Sequence, residues 1–220
     1  MARLFGGAST DSITSKLTSH NTLRSYSIWA YRTGNGGGSF GRIFDKRTSG
    51  AGQVELFYSD PVTGDQYNRN WTVGQGTWGI TRTSANIWNN FVVTYDAGDV
   101  NNKPIIYLNG VAQSLDGIDV QPTSGSANTN TSGYVIGNRT SDNGRNWAGN
   151  LCEFAVWNRI LTPQEALGIG KGFSPAFYPV SLVEYIDLVR EIKSFKLSKP
   201  TNSGTSVVRH PRIIYPRNFR

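Results

Sequence analysis

Short runs of apolar and β-branched residues, separated by glycine-rich turns, are the most regular feature of this sequence. The run Phe91-Val-Val-Thr-Tyr95 puts Phe91, Val93 and Tyr95 on one face, which is the period of a β-strand. Residues 105–108 lead directly into an Asn-Gly pair, which favours a tight hairpin turn. Further strands are predicted at residues 26–31, 41–44, 54–58, 134–136 and 151–157. The pattern therefore predicts an all-β protein.

One segment breaks the strand pattern. Thr162-Pro163-Gln-Glu165 supplies an N-cap residue, a proline at the first helical position and an acid in the first turn. We therefore expect a short helix from about Pro163 to Ile169, ended by Gly170 and Gly172.

The C-terminal extension, residues 176–220, differs from the rest of the chain in charge. The net charge is +7, and residues 181–220 hold eight Lys or Arg against three acids. Residues 180–195 suit a helix or a strand, whereas 199–220 suit an extended basic arm. A basic arm favours an acidic partner surface, but the body is nearly neutral and no recognised module indicates nucleic acid. We divide the chain into a domain at 1–175 and an extension at 176–220.

Several classes of protein are disfavoured by composition. No apolar run reaches the roughly 20 residues of a membrane span. The N-terminus, Met1-Ala-Arg-Leu-Phe, lacks the apolar core of a secretory signal, so we expect synthesis in a cytoplasm without export. Cys152 is the single cysteine, and its apolar neighbours predict a buried structural thiol.

Candidate catalytic residues are few and poorly spaced. Glycosidases use paired carboxylates, but Glu55 and Glu153 are isolated, and Glu184-Tyr-Ile-Asp187 would split its acids across a strand. The two histidines are His20 and His210, and no G-x-S-x-G turn occurs. We expect a non-catalytic protein, with a glycoside hydrolase as a less favoured alternative.

Two pairs of segments resemble the laminin-G-like branch of the concanavalin A-like lectin/glucanase superfamily. The first pair is Trp88-Asn-Asn-Phe-Val-Val-Thr-Tyr-Asp96 and Pro104-Ile-Ile-Tyr-Leu-Asn-Gly-Val111, and the second is Tyr134-Val-Ile-Gly-Asn138 and residues 147–165. The resemblance spans about residues 5–172. It implies a two-sheet antiparallel jelly-roll sandwich with a short C-terminal helix, followed by the arm, but it does not fix a ligand.

The C-terminal stretch from Val180 to Pro216 is similar to segments that follow such domains in bacteriophage sequences. This resemblance implies a virion component, either a capsid decoration or a tail-associated protein, made in the host cytoplasm. Its expected partners are other virion subunits or copies of itself, and host-surface glycans. The arm residues predicted to dock on a partner by strand addition are Arg209, Arg212, Ile213, Ile214, Tyr215 and Phe219. The alternative is a free-standing lectin-like carbohydrate-binding protein.

Sugar rings bind to exposed aromatic faces and to amide or carboxylate groups. Trp71, Trp78 and Trp147 lie in Gly/Asn-rich, loop-like surroundings and are candidate ligand-binding residues together with Asn146. Loop packing or a protein interface is the alternative for these residues. The tryptophans expected in the core are Trp29, Trp88 and Trp157.

No cofactor is expected, with calcium as the open alternative. Asp142 and Asn143, which precede Gly144, form one oxygen-rich cluster, and residues 96–101 form another. Asp, Asn and Gly at such places also form ordinary turns, so both interpretations stay open.

Overall fold

The computed structural model describes residues 2–6, 10–19, 21–47, 53–129, 132–139, 144–188 and 201–203. Within these ranges the backbone forms sixteen strands, one α-helix and two short 3-10 turns at Gly37–Ser39 and Pro175–Phe177. The strands are β1 Arg3–Gly6, β2 Ser12–Thr14, β3 Leu23–Arg32, β4 Gly41–Arg47, β5 Gln53–Asp60, β6 Gly64–Val73, β7 Gln75–Ile80, β8 Trp88–Asp96, β9 Ile105–Leu108, β10 Val111–Ala112, β11 Ile118–Val120, β12 Ser124–Ala127, β13 Val135–Ile136, β14 Ala148–Trp157, β15 Leu182–Ile186 and β16 Thr201–Ser203. The helix, α1, spans Pro163–Gly170.

Two sheets contain all of these strands. The small sheet has the order β1-β14-β3-β8-β9-β10, and β15 also pairs with β14. The large sheet has the order β11-β7-β6-β5-β4-β13-β2-β16, and β12 also pairs with β6. The pairings of β3 with β8 and of β5 with β6 are antiparallel and run without a shift in register. The predicted two-sheet antiparallel sandwich is confirmed.

Aromatic side chains fill the space between the sheets. Phe57 of the large sheet meets Phe91 of the small sheet with ring centroids 5.0 Å apart. Tyr26 and Phe44 make a second contact across the gap, also at 5.0 Å. Burial of such large side chains is the main favourable contribution to folding, and their tilted contacts add to it.

The helix covers the outer side of the small sheet. Thr162 accepts a hydrogen bond from the Glu165 amide while the Glu165 carboxylate accepts one from the Thr162 amide, a capping box that fixes the start of α1. Ala166 and Ile169 pack in a second apolar cluster with Trp157 of β14. The predicted helix is therefore confirmed, and it ends one residue later than expected.

The C-terminal extension contributes strands to both sheets. Leu182–Ile186 pairs with β14, so residues beyond the predicted boundary at 175 belong to the small sheet. Thr201–Ser203 pairs with β2 and forms the edge of the large sheet. The predicted docking residues of the arm, between positions 209 and 219, lie outside the described residues.

Several strands were not predicted from the sequence, among them β6, β7 and β12. In β6 and β7 the inward residues Tyr67, Trp71 and Trp78 alternate with polar or glycine residues. Arg69 also points inward, to Glu55, and it interrupts the apolar period of β6.

Candidate functional site

The outer face of the large sheet carries polar side chains at neighbouring register positions. Phe57 and Tyr67 point between the sheets, where they contact Phe91 and Tyr95. Because side chains alternate along a strand, the residues on either side of Phe57 and Tyr67 point outward. We call this outer surface the polar face; its residues are Arg42, Asp45, Tyr58, Gln66, Asn68 and Asn70.

Strand register brings these residues together from distant parts of the sequence. Arg42 pairs with Tyr58, and Tyr58 pairs with Gln66. In the next outward row, Asp45 and Asn68 both pair with Leu56. A register shift between Arg42 and Phe44 places Arg42 and Asp45, three residues apart, on the same face.

The side chains of the first row contact one another. The Arg42 guanidinium lies 4.4 Å from the Tyr58 ring centroid, a cation–π distance. The Tyr58 hydroxyl donates to Gln66 Oε1 at 2.7 Å. Burial raises the pKa of Tyr58, and its contacts with Arg42 and Asn68 oppose that rise. Tyr58, which is half-buried, is thus held at the centre of the face.

Several polar atoms of this face lack hydrogen-bond partners, although their residues are buried. Arg42, Asp45 and Asn68 are at most 8 % exposed. Arg42 Nε and Nη1, Asp45 Oδ2 and Asn68 Oδ1 have no hydrogen-bond partner in the described part of the chain. A buried polar atom without a partner costs about 1–3 kcal/mol. These atoms are closed to solvent, so a ligand would pair with them and remove that cost only if the atoms that cover them moved aside.

Burial changes the acidity of the charged groups. It lowers the pKa of Arg42 to about 10, an effect that Asp45 opposes and that Arg47 and Arg145 increase. Burial raises the pKa of Asp45, against the attraction of Arg47 and Arg42. Arg47 donates to Asp45 Oδ1 at 3.2 Å, whereas Arg42 Nε stays 3.6 Å from Asp45 Oδ2. The Arg42–Asp45 contact is therefore an ion pair without a hydrogen bond.

A loop at one end of the polar face adds an aromatic rim. The Phe40 ring lies edge-on to Tyr58 at 6.2 Å, and the Arg145 guanidinium lies 4.8 Å from the Phe40 centroid. The Gly37 amide donates to the Asn146 carbonyl at 2.9 Å. At Gly36, with φ of 73°, a Cβ would stand 2.3 Å from the same carbonyl, so the loop requires glycine there. Asn146, a predicted ligand residue, supports this rim through its backbone.

The predicted tryptophan site is not formed. Trp71, Trp78 and Trp147 are at most 4 % exposed and belong to the core between the sheets. Their expected location in exposed loops is wrong, because Trp71 and Trp78 lie in the unanticipated strands β6 and β7. The Trp78 ring stacks on Tyr67, and its Nε1 donates to Gln121 at 2.6 Å. These indole faces are occupied by protein atoms.

The two isolated glutamates are both buried. Glu55 lies between the sheets and accepts hydrogen bonds from Tyr26, Tyr134 and Arg69, the last at 3.2 Å. Glu153 accepts from Ser174 at 3.2 Å and from Tyr185. Tyr185 belongs to the cluster beneath α1, on the outer side of the small sheet. The two carboxylates therefore lie in separate layers of the protein.

The candidate calcium residues fall partly outside the described chain. Asp142 and Asn143 are not among the described residues. In the second cluster Asp96 accepts from the Gly98 amide and Asp99 accepts from the Asn101 amide, both at 2.8 Å, which are turn contacts. Across the described ranges no group of three His, Cys, Asp or Glu is placed to hold a metal.

None of the helices in the described part of the chain is long and apolar enough to cross a membrane.

Solved structures share this architecture at low sequence identity. A candidate carbohydrate binding protein from Bacteroides ovatus matches 97 % of this chain with a TM-score of 0.63 and 18 % identity, and the chain spans 61 % of that protein. The CBM40 of the Ruminococcus gnavus IT-sialidase, solved with α2,3 sialyllactose, matches 73 % of this chain and 94 % of its own, with a TM-score of 0.52 and 10 % identity.

Domain 4 of AbnA, an extracellular arabinanase from Geobacillus stearothermophilus solved with arabinotriose, is a third similar structure. It matches 77 % of this chain and 76 % of its own, with a TM-score of 0.51 and 14 % identity. At these identities the similarity establishes the fold alone. No curated protein sequence matches the chain.

A family model described as the concanavalin A-like lectin/glucanases superfamily, Laminin_G_3, matches residues 5–166. The matched range runs from the second half of β1 through β14 to the start of α1, which is most of the sandwich. The chain therefore belongs to the laminin-G-like family of the concanavalin A-like lectin/glucanase superfamily.

Proposed function

We propose that this protein is a non-catalytic carbohydrate-binding domain whose ligand lies on the polar face. The observation that carries the proposal is the set of buried polar atoms without hydrogen-bond partners on Arg42, Asp45 and Asn68. They surround Tyr58, whose ring is half-buried. A sugar supplies closely spaced hydroxyls that both donate and accept, together with an apolar ring face, and so matches this combination.

The similar structures support a carbohydrate ligand. The Bacteroides protein is described as a carbohydrate binding protein, and the Ruminococcus and Geobacillus domains were solved with bound saccharides. Their binding properties come to this chain as part of the proposal, because the shared feature is the fold.

The placement of the carboxylates supports the absence of catalysis. Glycoside hydrolysis uses two carboxyl groups on either side of the scissile bond, roughly 5–10 Å apart. Glu55 is enclosed between the sheets, and Glu153 is enclosed on the outer side of the small sheet. A sugar on the polar face would meet Asp45 but neither glutamate.

The test is saccharide binding by the purified protein, first on a glycan array and then by titration calorimetry. Asn68→Ala removes an unpartnered acceptor, and we expect it to weaken binding roughly tenfold. Lys171→Ala, at an exposed position just after α1, is the matched control and should bind like the wild type. The proposal fails if no saccharide binds, or if Asn68→Ala binds as tightly as the control while both variants stay folded.

A second proposal concerns assembly and rests on the resemblance of the C-terminal stretch to bacteriophage sequences. We propose that the protein is a virion component, on the capsid or the tail, and that its arm docks on a neighbouring subunit. Thr201–Ser203 adds a strand to β2 of its own chain, which is the kind of pairing that the arm would make with a neighbour. Deleting residues 199–220 should leave the domain folded but prevent its incorporation into particles. Normal incorporation of the truncated protein would refute the docking role.

A further inference from the structure

We infer that the C-terminal segment, residues 204–220, is the partner of the outer face of the large sheet in its own chain. This inference goes beyond the proposed carbohydrate and assembly functions, because it concerns what covers this face in the free protein. Three observations carry it: the burial of outward apolar side chains, the place where the described chain ends, and the composition of the segment.

Outward side chains of the large sheet are buried where water would be expected. One row of paired residues crosses β13, β4, β5 and β6: Val135, Asp45, Leu56 and Asn68. The row lies on the outer side, because Phe57 points between the sheets and side chains alternate along a strand. Leu56 is 0 % exposed, Val135 is 5 % exposed, and Val54, the next outward residue of β5, is 1 % exposed. A sheet face open to water would leave such side chains partly exposed, so other atoms cover this face.

The apolar clusters of the described chain do not supply this cover. Val54, Leu56 and Val135 belong neither to the cluster between the sheets nor to the cluster under α1. The helix α1 and its cluster lie on the outer side of the small sheet, away from this face. Burial of three apolar side chains is most favourable against other apolar side chains. The cover should therefore come from a partly apolar segment outside the described residues.

The described chain ends at the edge of this same sheet. β16 is the last strand in the order β5-β4-β13-β2-β16. Neighbouring strands lie about 4.8 Å apart, so Leu56 on β5 is roughly 20 Å from β16. Residues 204–220 follow β16, and an extended chain of that length reaches roughly 55 Å. The segment is thus long enough to cross the outer face.

The composition of the segment suits the face better than that of the other segments outside the described residues. Its apolar residues are Val207, Val208, Ile213, Ile214, Tyr215 and Phe219. Short segments such as 48–52 and 140–143 contain no large apolar residue. Residues 189–200 are held at both ends, since they follow Leu188 beside the small sheet and precede β16, so they have less reach over this face.

Site-specific photo-crosslinking in the full-length chain tests the position of the segment. Tyr58→p-benzoylphenylalanine places a photoreactive aromatic group on the face, at a half-buried position. We expect a product of monomer mass, with the cross-link mapped by mass spectrometry to residues 204–220. Leu167→p-benzoylphenylalanine, on the exposed side of α1, is the control and should not reach the segment. A cross-link from position 58 to another segment or to a second chain, or none at all, would overturn the inference.

Hydroxyl-radical footprinting of two adjacent residues tests the cover itself. Combining Ile213→Asp with Ile214→Asp adds two charges to the segment, which should release it from an apolar face. Oxidation of Leu56 should then rise several-fold, whereas oxidation of Phe57, which lies between the sheets, should stay unchanged and report that the domain is folded. Ile213→Val with Ile214→Val keeps the segment apolar and is the matched control. If Leu56 is oxidised equally in the Asp variant and the wild type, the inference is wrong.

These outcomes separate the inference from the proposed functions. Both experiments use the free protein without a saccharide or a particle, so either proposed function can fail while the inference stands. A saccharide on the polar face would have to displace the segment, so the Asp variant should bind it more tightly than the wild type. Equal affinity, with the cross-link present, would count against the proposed binding site and not against the segment.

Discussion

Glu55 provides the sharpest test of how this core is stabilised. Its carboxylate is buried between the sheets and accepts hydrogen bonds from Tyr26, Tyr67, Tyr134 and Arg69. Burial alone would raise the pKa of Glu55, but the attraction of Arg69, Arg24 and Lys46 outweighs it and lowers the pKa from 4.5 to about 2. Replacing Glu55 by Gln keeps the shape and removes the charge.

The pKa sets the expected magnitude. Each tenfold change in acidity corresponds to about 1.4 kcal/mol, so a pKa lowered from 4.5 to about 2 corresponds to about 3 kcal/mol of stability at neutral pH. Removing one member of a buried ion pair costs a similar amount, about 3–5 kcal/mol, because buried Arg69 then loses the carboxylate that offsets its charge. We therefore expect Glu55→Gln to lower the free energy of unfolding by about 3 kcal/mol at pH 7.

The pH dependence has a defined sign. A carboxylate whose pKa is lower in the folded state stabilises the protein above its unfolded pKa and loses that contribution as pH falls. The advantage of the wild type over Glu55→Gln should thus be full above about pH 5 and should disappear between about pH 4.5 and pH 2.

Urea unfolding followed by tryptophan fluorescence, from pH 7 down to pH 2.5, measures this difference. Asp119→Asn is the matched control, since Asp119 pairs with Lys103 at the surface and such pairs contribute at most about 1 kcal/mol. A difference between wild type and Glu55→Gln below about 1 kcal/mol at pH 7, or one that does not depend on pH, would refute the reasoning.

Three further predictions follow from the packing. Gly170→Ala should destabilise the protein by about 1–3 kcal/mol, because its Cβ would lie 2.2 Å from the Gly110 amide nitrogen. Gly34→Ala should be nearly neutral, because its Cβ would lie 3.4 Å from the Ala148 Cβ, an ordinary contact; thermal unfolding compares the two, and equal effects would contradict the packing argument. Thr162→Ala should cost about 1 kcal/mol in chemical unfolding through loss of the α1 cap, and an unchanged stability would show that the cap contributes nothing. The thiol of Cys152 is fully buried, and burial raises its pKa well above the ordinary value, so a thiol reagent should modify it at the rate of global unfolding; fast modification of the native protein would be inconsistent with this burial.

Local signals account for the elements that the sequence predicted correctly. The capping box from Thr162 to Glu165 forms within one helical turn, so the start of α1 can be predicted from the local sequence alone. The alternation from Phe91 to Tyr95 likewise reports the burial of one strand face. In the structure Val92 is buried as well, in the cluster under α1, which alternation alone could not indicate.

The tryptophan site was mispredicted because loop-like composition does not determine burial. Trp71 and Trp78 have Gly, Asn and Gln neighbours, which indicated exposed loops. In the structure those polar neighbours lie on the outward positions of β6 and β7, and the indoles lie on the inward positions. An indole beside polar residues is the expected pattern of a strand with one solvated face.

The fold class, the position of the helix and the shortage of paired catalytic acids could all be predicted from the sequence, since each depends on spacing within a short segment. The meeting of Arg42, Tyr58 and Asn68, and the place of Glu55 among tyrosines rather than in a cleft, became visible in the folded structure alone. The reason is physical: strand register joins residues that are eight or more positions apart, and a register shift in β4 then brings Asp45 to the same face as Arg42.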